Sequence, residues 1–287
     1  MHIHTPYLLR KTRGNMFKIE AAGKIICLDL PDEYIGTYMD RFAHGGTRRA
    51  DVTVGAECGP LPDFVGSVPV HSVRTLSGDN FYAFSPFDYI SHFRYNANCS
   101  DFLLNVNNEN EFLPETVQSV LRRIFIMIAA ESGGVCLHSS TVMLEGGAVC
   151  FSASSGTGKT THTNLWKDFI PGIEIINGDM GYLLKDGGGY RYHSAPWCGT
   201  SGECMNRAVP LKAVVFLERS DENRIRKLSV PEAFMRLSAR CFLPAWDGGL
   251  YVKSLAAAED IAGGADCYLL ECLPDIGAVK VCYHGIH

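Results

Sequence analysis

The spacing of apolar residues changes character part-way along this chain. Up to about residue 112 they fall in short runs suited to strands: Phe17 to Glu20, Lys24 to Leu30, the alternating Val52 and Val54, Phe81 to Phe84, Tyr89 to Tyr95 and Phe102 to Val106. One helix is expected here, Pro31 to His44. Proline suits its first turn, Asp32 and Glu33 favour its N-terminus, and Tyr34, Ile35, Tyr38, Met39 and Phe42 would share a face before Gly45-Gly46 stops it. The polar run Asn105 to Glu111 reads as a linker or surface loop.

From Pro114 to Glu131 the period becomes helical, with Val117, Val120, Leu121, Ile124, Phe125 and Ile128 recurring until Gly133-Gly134. This is the strongest helix of the chain, expected to pack on the sheet that follows. Val135 to Val142 and Gly147 to Phe151 then predict two strands joined so tightly, around Glu145-Gly146-Gly147, that they must form an antiparallel hairpin. Ile173 to Asn177 is a short strand. Tyr182 to Lys185 and Tyr190 to Ala195 flank Asp186-Gly187-Gly188-Gly189 as a second hairpin, and Leu211 to Glu218 has the composition of a buried strand. Ser229-Val230-Pro231-Glu232 is a capping-box start for a helix to about Cys241; Lys253 to Gly263 is another helix; Cys267 to Cys272 and Ala278 to Tyr283 read as terminal strands. The pattern predicts an α/β fold with a mixed sheet. It divides into a β-rich N-terminal domain, residues 1–112, and a second domain, residues 113–287.

The chemistry concentrates where the first hairpin ends. Ala148 to Phe151 leads into Ser152-Ala153-Ser154-Ser155-Gly156-Thr157-Gly158-Lys159-Thr160-Thr161, and a helical segment follows to Phe169. Strand, glycine-containing loop and helix in this order form the Walker A pattern. Small residues let the backbone wrap a polyphosphate and aim its N–H groups inward, and the helix adds its positive dipole end. Residues 153–161 are therefore the expected nucleotide site. Lys159 would reach the β- and γ-phosphates, and the Thr160 hydroxyl would ligate Mg²⁺. Ala153 stands where the pattern usually has glycine, which is tolerable if its φ is negative. Asp179, just past an apolar strand and downstream of the loop, sits where a Walker B acid belongs.

Composition narrows the alternatives. A formal net charge of -5 over 287 residues argues against nucleic acid or an anionic membrane as the main partner. The 11 cysteines include no Cys-x-x-Cys pair, and several lie within apolar runs. The expectation is a reduced cytoplasmic protein, neither disulfide-built nor zinc-bound. The basic N-terminus lacks a following apolar region, so a secretory signal is not expected. His71 and His92 stand alone, and the N-terminal half offers no chemical constellation, which leaves partner binding as its expected role.

Ser155 to Thr161 resembles the kinase-1 loop of ATP-dependent phosphoenolpyruvate carboxykinases. The wider set, with Leu137-His138-Ser139-Ser140, the hairpin, the loop and an acidic strand end, resembles the catalytic domain of HPr kinase/phosphorylase and related serine kinases over roughly residues 113–287. The resemblance implies ATP and Mg²⁺ as cofactors and a serine hydroxyl of a protein or peptide as acceptor. It implies Lys159, His138 and Asp179 as catalytic residues, with the acid accepting the hydroxyl proton and His138 orienting it or lying near the transferred phosphate. That family usually carries two adjacent aspartates where this chain has Gly178-Asp179, and its Glu-x-Arg-Gly signature is absent. A nucleotide-binding regulatory module without catalysis and a kinase of free serine or a similar metabolite remain alternatives. Either Arg207 or Arg240 could stabilise transferring charge. His193, Trp197 and Cys198 mark a second candidate region, as an acceptor or adenine pocket or as packing, with Cys198 expected inert. A homo-oligomer is left open.

Overall fold

The computed structural model describes residues 16–36, 38–58, 72–76, 79–84, 91–106 and 113–287. His71, the side chain of His92, residues 1–15 of the basic N-terminus and residues 107–112 of the expected linker lie outside them. The fold is mixed α/β, with two sheets and a helix between them.

The first sheet has seven strands: β1 (Phe17–Ala21), β2 (Lys24–Asp29), β3 (Val52–Cys58), β4 (Ser72–Leu76), β5 (Asp79–Phe84), β6 (Ser91–Tyr95) and β7 (Asp101–Val106). Their order is β1-β2-β3-β7-β6-β5-β4, with parallel pairing only at β2–β3 and β3–β7. The helix expected over Pro31 to His44 does not form. Two short 3₁₀ turns, Asp32–Tyr34 and Met39–Phe42, stand in its place, and Ile35 between them is extended. The cause is tertiary. Gln118 Nε2 donates to the Tyr34 carbonyl at 2.6 Å, removing an acceptor that a continuing helix would use. Gly36 then lets the chain pass so close to Gln118 that a Cβ there would lie 3.2 Å from its Oε1.

Helix α1 (Leu113–Glu131) follows. From Ile124 to Ala130 every side chain is buried, so this part of the helix has no solvent face. One apolar cluster explains this. It runs from Ile26, Phe42 and Phe102 through α1 to Tyr182 and Trp197, so α1 packs on both sheets rather than on the second alone.

The second sheet holds β8 (Val135–His138), β9 (Ser140–Leu144), β10 (Gly147–Ser152), β11 (Glu174–Asn177), β12 (Met180–Asp186), β13 (Gly189–Ser194), β14 (Ala208–Arg219), β15 (Arg224–Lys227), the two-residue β16 (Cys241–Phe242) and β17 (Cys267–Cys272). The strand expected from Val135 to Val142 is broken at Ser139. Its first part pairs with β12 and its second with β10, so the two halves serve different parts of the sheet. The β9–β10 hairpin turns through Glu145 (φ 51) and Gly146 (φ 79), the left-handed pair that a two-residue hairpin needs. The long β14 joins the halves. Its start pairs with β13, while its later residues run parallel to both β10 and β17. The strand that enters the glycine loop thus has an antiparallel neighbour on one side and a parallel one on the other.

Helices α2 (Lys159–Phe169), α3 (Val230–Arg240), α4 (Gly248–Gly264) and α5 (Ile276–Gly285) complete the fold. The capping box at Ser229 and Glu232 is present. The segment Ala278 to Tyr283 is part of helix α5, not a terminal strand. Asp275 caps it, its Oδ1 accepting from the Ala278 amide at 3.0 Å, and Val279 and Cys282 face the core three residues apart. No helix among the described residues is long and apolar enough to cross a membrane.

Candidate functional site

β10 delivers the chain into the loop at Ala153. Gly156 (φ 75) and Gly158 (φ 118) take left-handed backbone, while Ala153 is not among the residues of positive φ, as the sequence required of an alanine there. Gly158 is the N-cap of α2, no side chain caps it, and no acid stands in the first turn. The free amides and the dipole of α2 therefore face outward unopposed. Ser154, Ser155, Thr160 and Thr161 are exposed, Thr157 is half-buried and its amide closes a turn onto the Ser154 carbonyl at 3.2 Å.

The loop is backed by a dense packing layer. Thr163 on α2 shares a 3.0 Å hydrogen bond with Ser140 of β9. The buried His162 accepts from Trp166 Nε1 at 3.0 Å and lies edge-on to Phe151 of β10, ring centroids 4.7 Å apart. Burial lowers the His162 pKa to about 4, so this histidine is a neutral packing residue.

Lys159 turns its ammonium back into the loop, donating to the Ala153 carbonyl at 3.1 Å. Its pKa is lowered, by burial foremost; the charge of Asp179 opposes that shift and Arg240 adds to it. Lysine, acid and arginine are thus electrostatic neighbours.

Asp179 follows β11. Buried Asn177 positions it: its Oδ1 accepts from the amides of Asp179 at 2.8 Å and Met180 at 3.0 Å, while its Nδ2 donates to the Ala195 carbonyl at 2.8 Å. His138 ends β8 opposite Met180, and this register sets its Nε2 3.5 Å from Asp179 Oδ1. Ser152 Oγ, the last residue before the loop, donates to the His138 carbonyl at 2.8 Å. The His138 pKa is lowered by burial first, then by Lys159, with Asp179 acting the other way. The imidazole is held neutral between a cation and an anion, a state that can pass a proton in either direction.

Sequence reasoning missed three participants. Arg122 of α1 reaches Asp179, Nη2 to Oδ2 3.9 Å, and lies over the Trp197 ring at 5.7 Å. Its signal was an Arg122-Arg123 pair inside a helix whose following residues, Ile124 to Ala130, are all buried. Arg219, at the end of β14, donates to the Gly156 carbonyl. Arg236 of α3 pairs with Glu218 at 2.7 Å. Of the two arginines left open, Arg240 meets the loop, donating to Ser154 Oγ at 2.7 Å, whereas Arg207 is exposed and reaches only its neighbour's carbonyl. A cavity of about 280 Å³ lies against the β14 side of the loop, lined by Ser154, Thr157, Glu218, Arg219, Arg236 and Arg240 among others. Three guanidinium groups against one carboxylate suit an anion.

Gly178, beside Asp179, leaves no room for a side chain. A Cβ there would overlap Ser201 Oγ and lie 3.0 Å from the Cys198 carbonyl. The second candidate region therefore walls the acid. Trp197 is buried with Phe125 against its face, centroids 5.1 Å apart, and Cys198 is buried behind it, so both are packing residues. His193 lies against the β1–β2 turn, 3.7 Å from where a Cβ on Gly23 would sit, away from the loop. Among the described residues no group of three or more His, Cys, Asp and Glu side chains is placed to hold a metal, and ten cysteines are unpaired.

The family model for the SynChlorMet cassette protein ScmC matches residues 103–259, more than half of the chain. The chain belongs to the ScmC family. The matched span holds α1, His138, the glycine loop, Asp179 and all four arginines around them. No curated protein matches the chain. Among solved structures, the Hpr(Ser) kinase/phosphatase from Coxiella burnetii is similar at a TM-score of 0.32 and 9% identity, covering 52% of this chain and 94% of that one. So distant a likeness carries no inference about the chemistry of this ScmC-family chain.

Proposed function

We propose that this protein is an ATP- and Mg²⁺-dependent phosphotransferase acting on a hydroxyl, a serine of a protein or peptide. The observation that carries the reading is the His138–Asp179 pair at 3.5 Å, within electrostatic reach of Lys159, which begins a helix whose N-terminus no side chain caps. The donors fit a nucleotide. Gly156 and Gly158 leave the loop backbone bare, Lys159 sits at the loop, and Arg219 and Arg240 flank it. A polyphosphate would replace the Ala153 carbonyl as the partner of Lys159. They also fit Mg²⁺ as it usually binds, through one or two protein oxygens with phosphate and water supplying the rest; Thr160 and Asp179 would supply those oxygens. Mg²⁺, when bound, neutralises charge on the phosphates.

The remaining roles follow from position. Asp179 accepts the acceptor hydroxyl's proton, and the neutral His138 at 3.5 Å aligns the carboxylate. Arg122 holds the other carboxylate oxygen. The choice of serine rests on the resemblance of the wider arrangement, with His138, the hairpin, the loop and Asp179, to serine kinases, and residues 1–112 are assigned to the protein partner.

Binding of Mg·ATP to Lys159→Ala, measured by calorimetry, tests this reading. Losing a charge-assisted contact of roughly 1.5–3 kcal/mol weakens affinity about tenfold or more. Unchanged affinity would remove the basis for the assignment. One observation favours a second reading, a nucleotide-binding module without turnover: the space beside Asp179 is closed to a second acid.

A further inference from the structure

The acid is built from one side by β11 and from the other by the segment 198–204. Gly199 (φ 58) passes so near that a Cβ on it would lie 3.1 Å from Asp179 Cβ. The Gly178 amide donates to the Glu203 carbonyl at 3.0 Å, and Asn177 pairs as an isolated bridge with Cys204. Ser201 Oγ, which abuts Gly178, donates to the Cys198 carbonyl at 2.9 Å and accepts from the Glu203 amide at 3.2 Å. The segment has little regular structure, a single 3₁₀ turn at Gly199–Ser201. Something else must hold it.

That support comes from the second 3₁₀ turn of the N-terminal region, Met39–Phe42. Arg41 Nη1 donates to the carbonyls of Gly202 at 3.2 Å and Cys204 at 2.9 Å, across more than 160 residues of sequence. The Arg41 guanidinium lies 5.1 Å from the Tyr38 ring centroid, and the neighbouring Cys198 thiol raises the tyrosine pKa. A second tie runs from α2, where Lys167 meets Glu203 at 3.2 Å. The segment facing Asp179 is thus clamped from the N-terminal region on one side and from the glycine-loop helix on the other.

We propose that Arg41 is a positioning residue for Asp179, acting through the carbonyls of Gly202 and Cys204 on the segment that walls the acid. The inference rests on the reading of Asp179 as the acid of a phosphotransfer site. It adds to that reading a function for the N-terminal half: the catalytic carboxylate is set by a residue outside the ScmC-matched span.

The experiment compares Arg41→Ala, Arg41→Lys and the wild-type full chain by two measurements. In Mg·ATP turnover, Arg41→Ala lowers kcat about tenfold or more with the KM for ATP within about twofold, because the glycine loop is untouched; Arg41→Lys, which keeps a donor at the two carbonyls, recovers a large part. In amide hydrogen exchange, the Gly178 amide exchanges faster in Arg41→Ala while amides of β10 keep their rates. If the wild type turns nothing over, the phosphotransfer reading fails by itself and the exchange result still decides whether Arg41 sets this segment. Equal kcat in a turning-over Arg41→Ala protein, or unchanged exchange at Gly178, overturns the proposal. Should Arg41→Ala not fold, Arg41→Met keeps the aliphatic stem while removing every donor to the two carbonyls, and the same two readouts apply with the same signs.

Discussion

The glycine loop and the acid follow strands of one sheet, β10 and β11, which flank β9, yet they are made in opposite ways. The loop is contiguous: one strand, six residues and one helix carry it, and its glycines adopt their left-handed angles with nothing near enough to force them. The acid is assembled. His138 comes from β8, Asn177 and Asp179 from β11 and its end, Arg122 from α1, and the wall from residues 198–204, themselves held by Arg41. Local conformation makes the first and long-range packing makes the second. The two should therefore fail differently when perturbed.

The sharpest separation is Asp179→Asn. The amide cannot accept a proton, so turnover falls by about 10²–10⁴, while Mg·ATP binding weakens only by the loss of one metal ligand. Turnover unchanged in that variant would place the base elsewhere. Turnover absent in the wild type, with binding intact, would leave the non-catalytic module as the better reading.

The loop side is broken by acid. Its backing layer includes His162, held neutral by burial with a pKa of about 4 against 6.5 when unburied. Above pH 6.5 neither folded nor unfolded chain protonates this group and its burial carries no penalty. As pH falls below 6.5 the unfolded chain takes up a proton that the native protein refuses, so stability declines until about pH 4, by at most about 3 kcal/mol. Denaturant midpoints measured across this range in wild type and His162→Gln check it. The glutamine can still accept from Trp166 Nε1 but does not titrate, so the decline should be shallower by that amount. Equal pH slopes would mean that the native protein admits the proton.

How much was legible in the sequence follows the same division. The mixed α/β class, the β9–β10 hairpin, the loop with its negative-φ alanine, and α1 were all visible, because each is specified by spacing or by residues adjacent in the chain. The helix expected at Pro31–His44 failed because Gln118, over 80 residues away, takes the carbonyl that would have continued it. The last strand was misread because Asp275, the cap that starts α5, lies before the apolar run that suggested a strand. Arg41 and Arg219 gave no usable signal, and the Arg122-Arg123 pair marked an oddity in α1 without naming its partner, since nothing in a run of neighbours tells where an arginine's reach will end.

Gly178→Ala tests the assembled side with the smallest change. Gly178 does not need a left-handed φ; it is glycine because Ser201 and the Cys198 carbonyl occupy the space of a side chain. A methyl group there must push a wall whose serine is engaged at both ends, at the Cys198 carbonyl and the Glu203 amide. Overpacking of this kind costs about 1–3 kcal/mol, read as a lowered denaturant midpoint. The double variant Gly178→Ala/Ser201→Gly removes the closest overlap and should recover part of the loss, whereas additive losses would mean that the two positions do not touch in solution. In both variants Mg·ATP affinity should stay near wild type, because the loop is formed without this wall; an affinity that falls with stability would join the two regions into one cooperative unit.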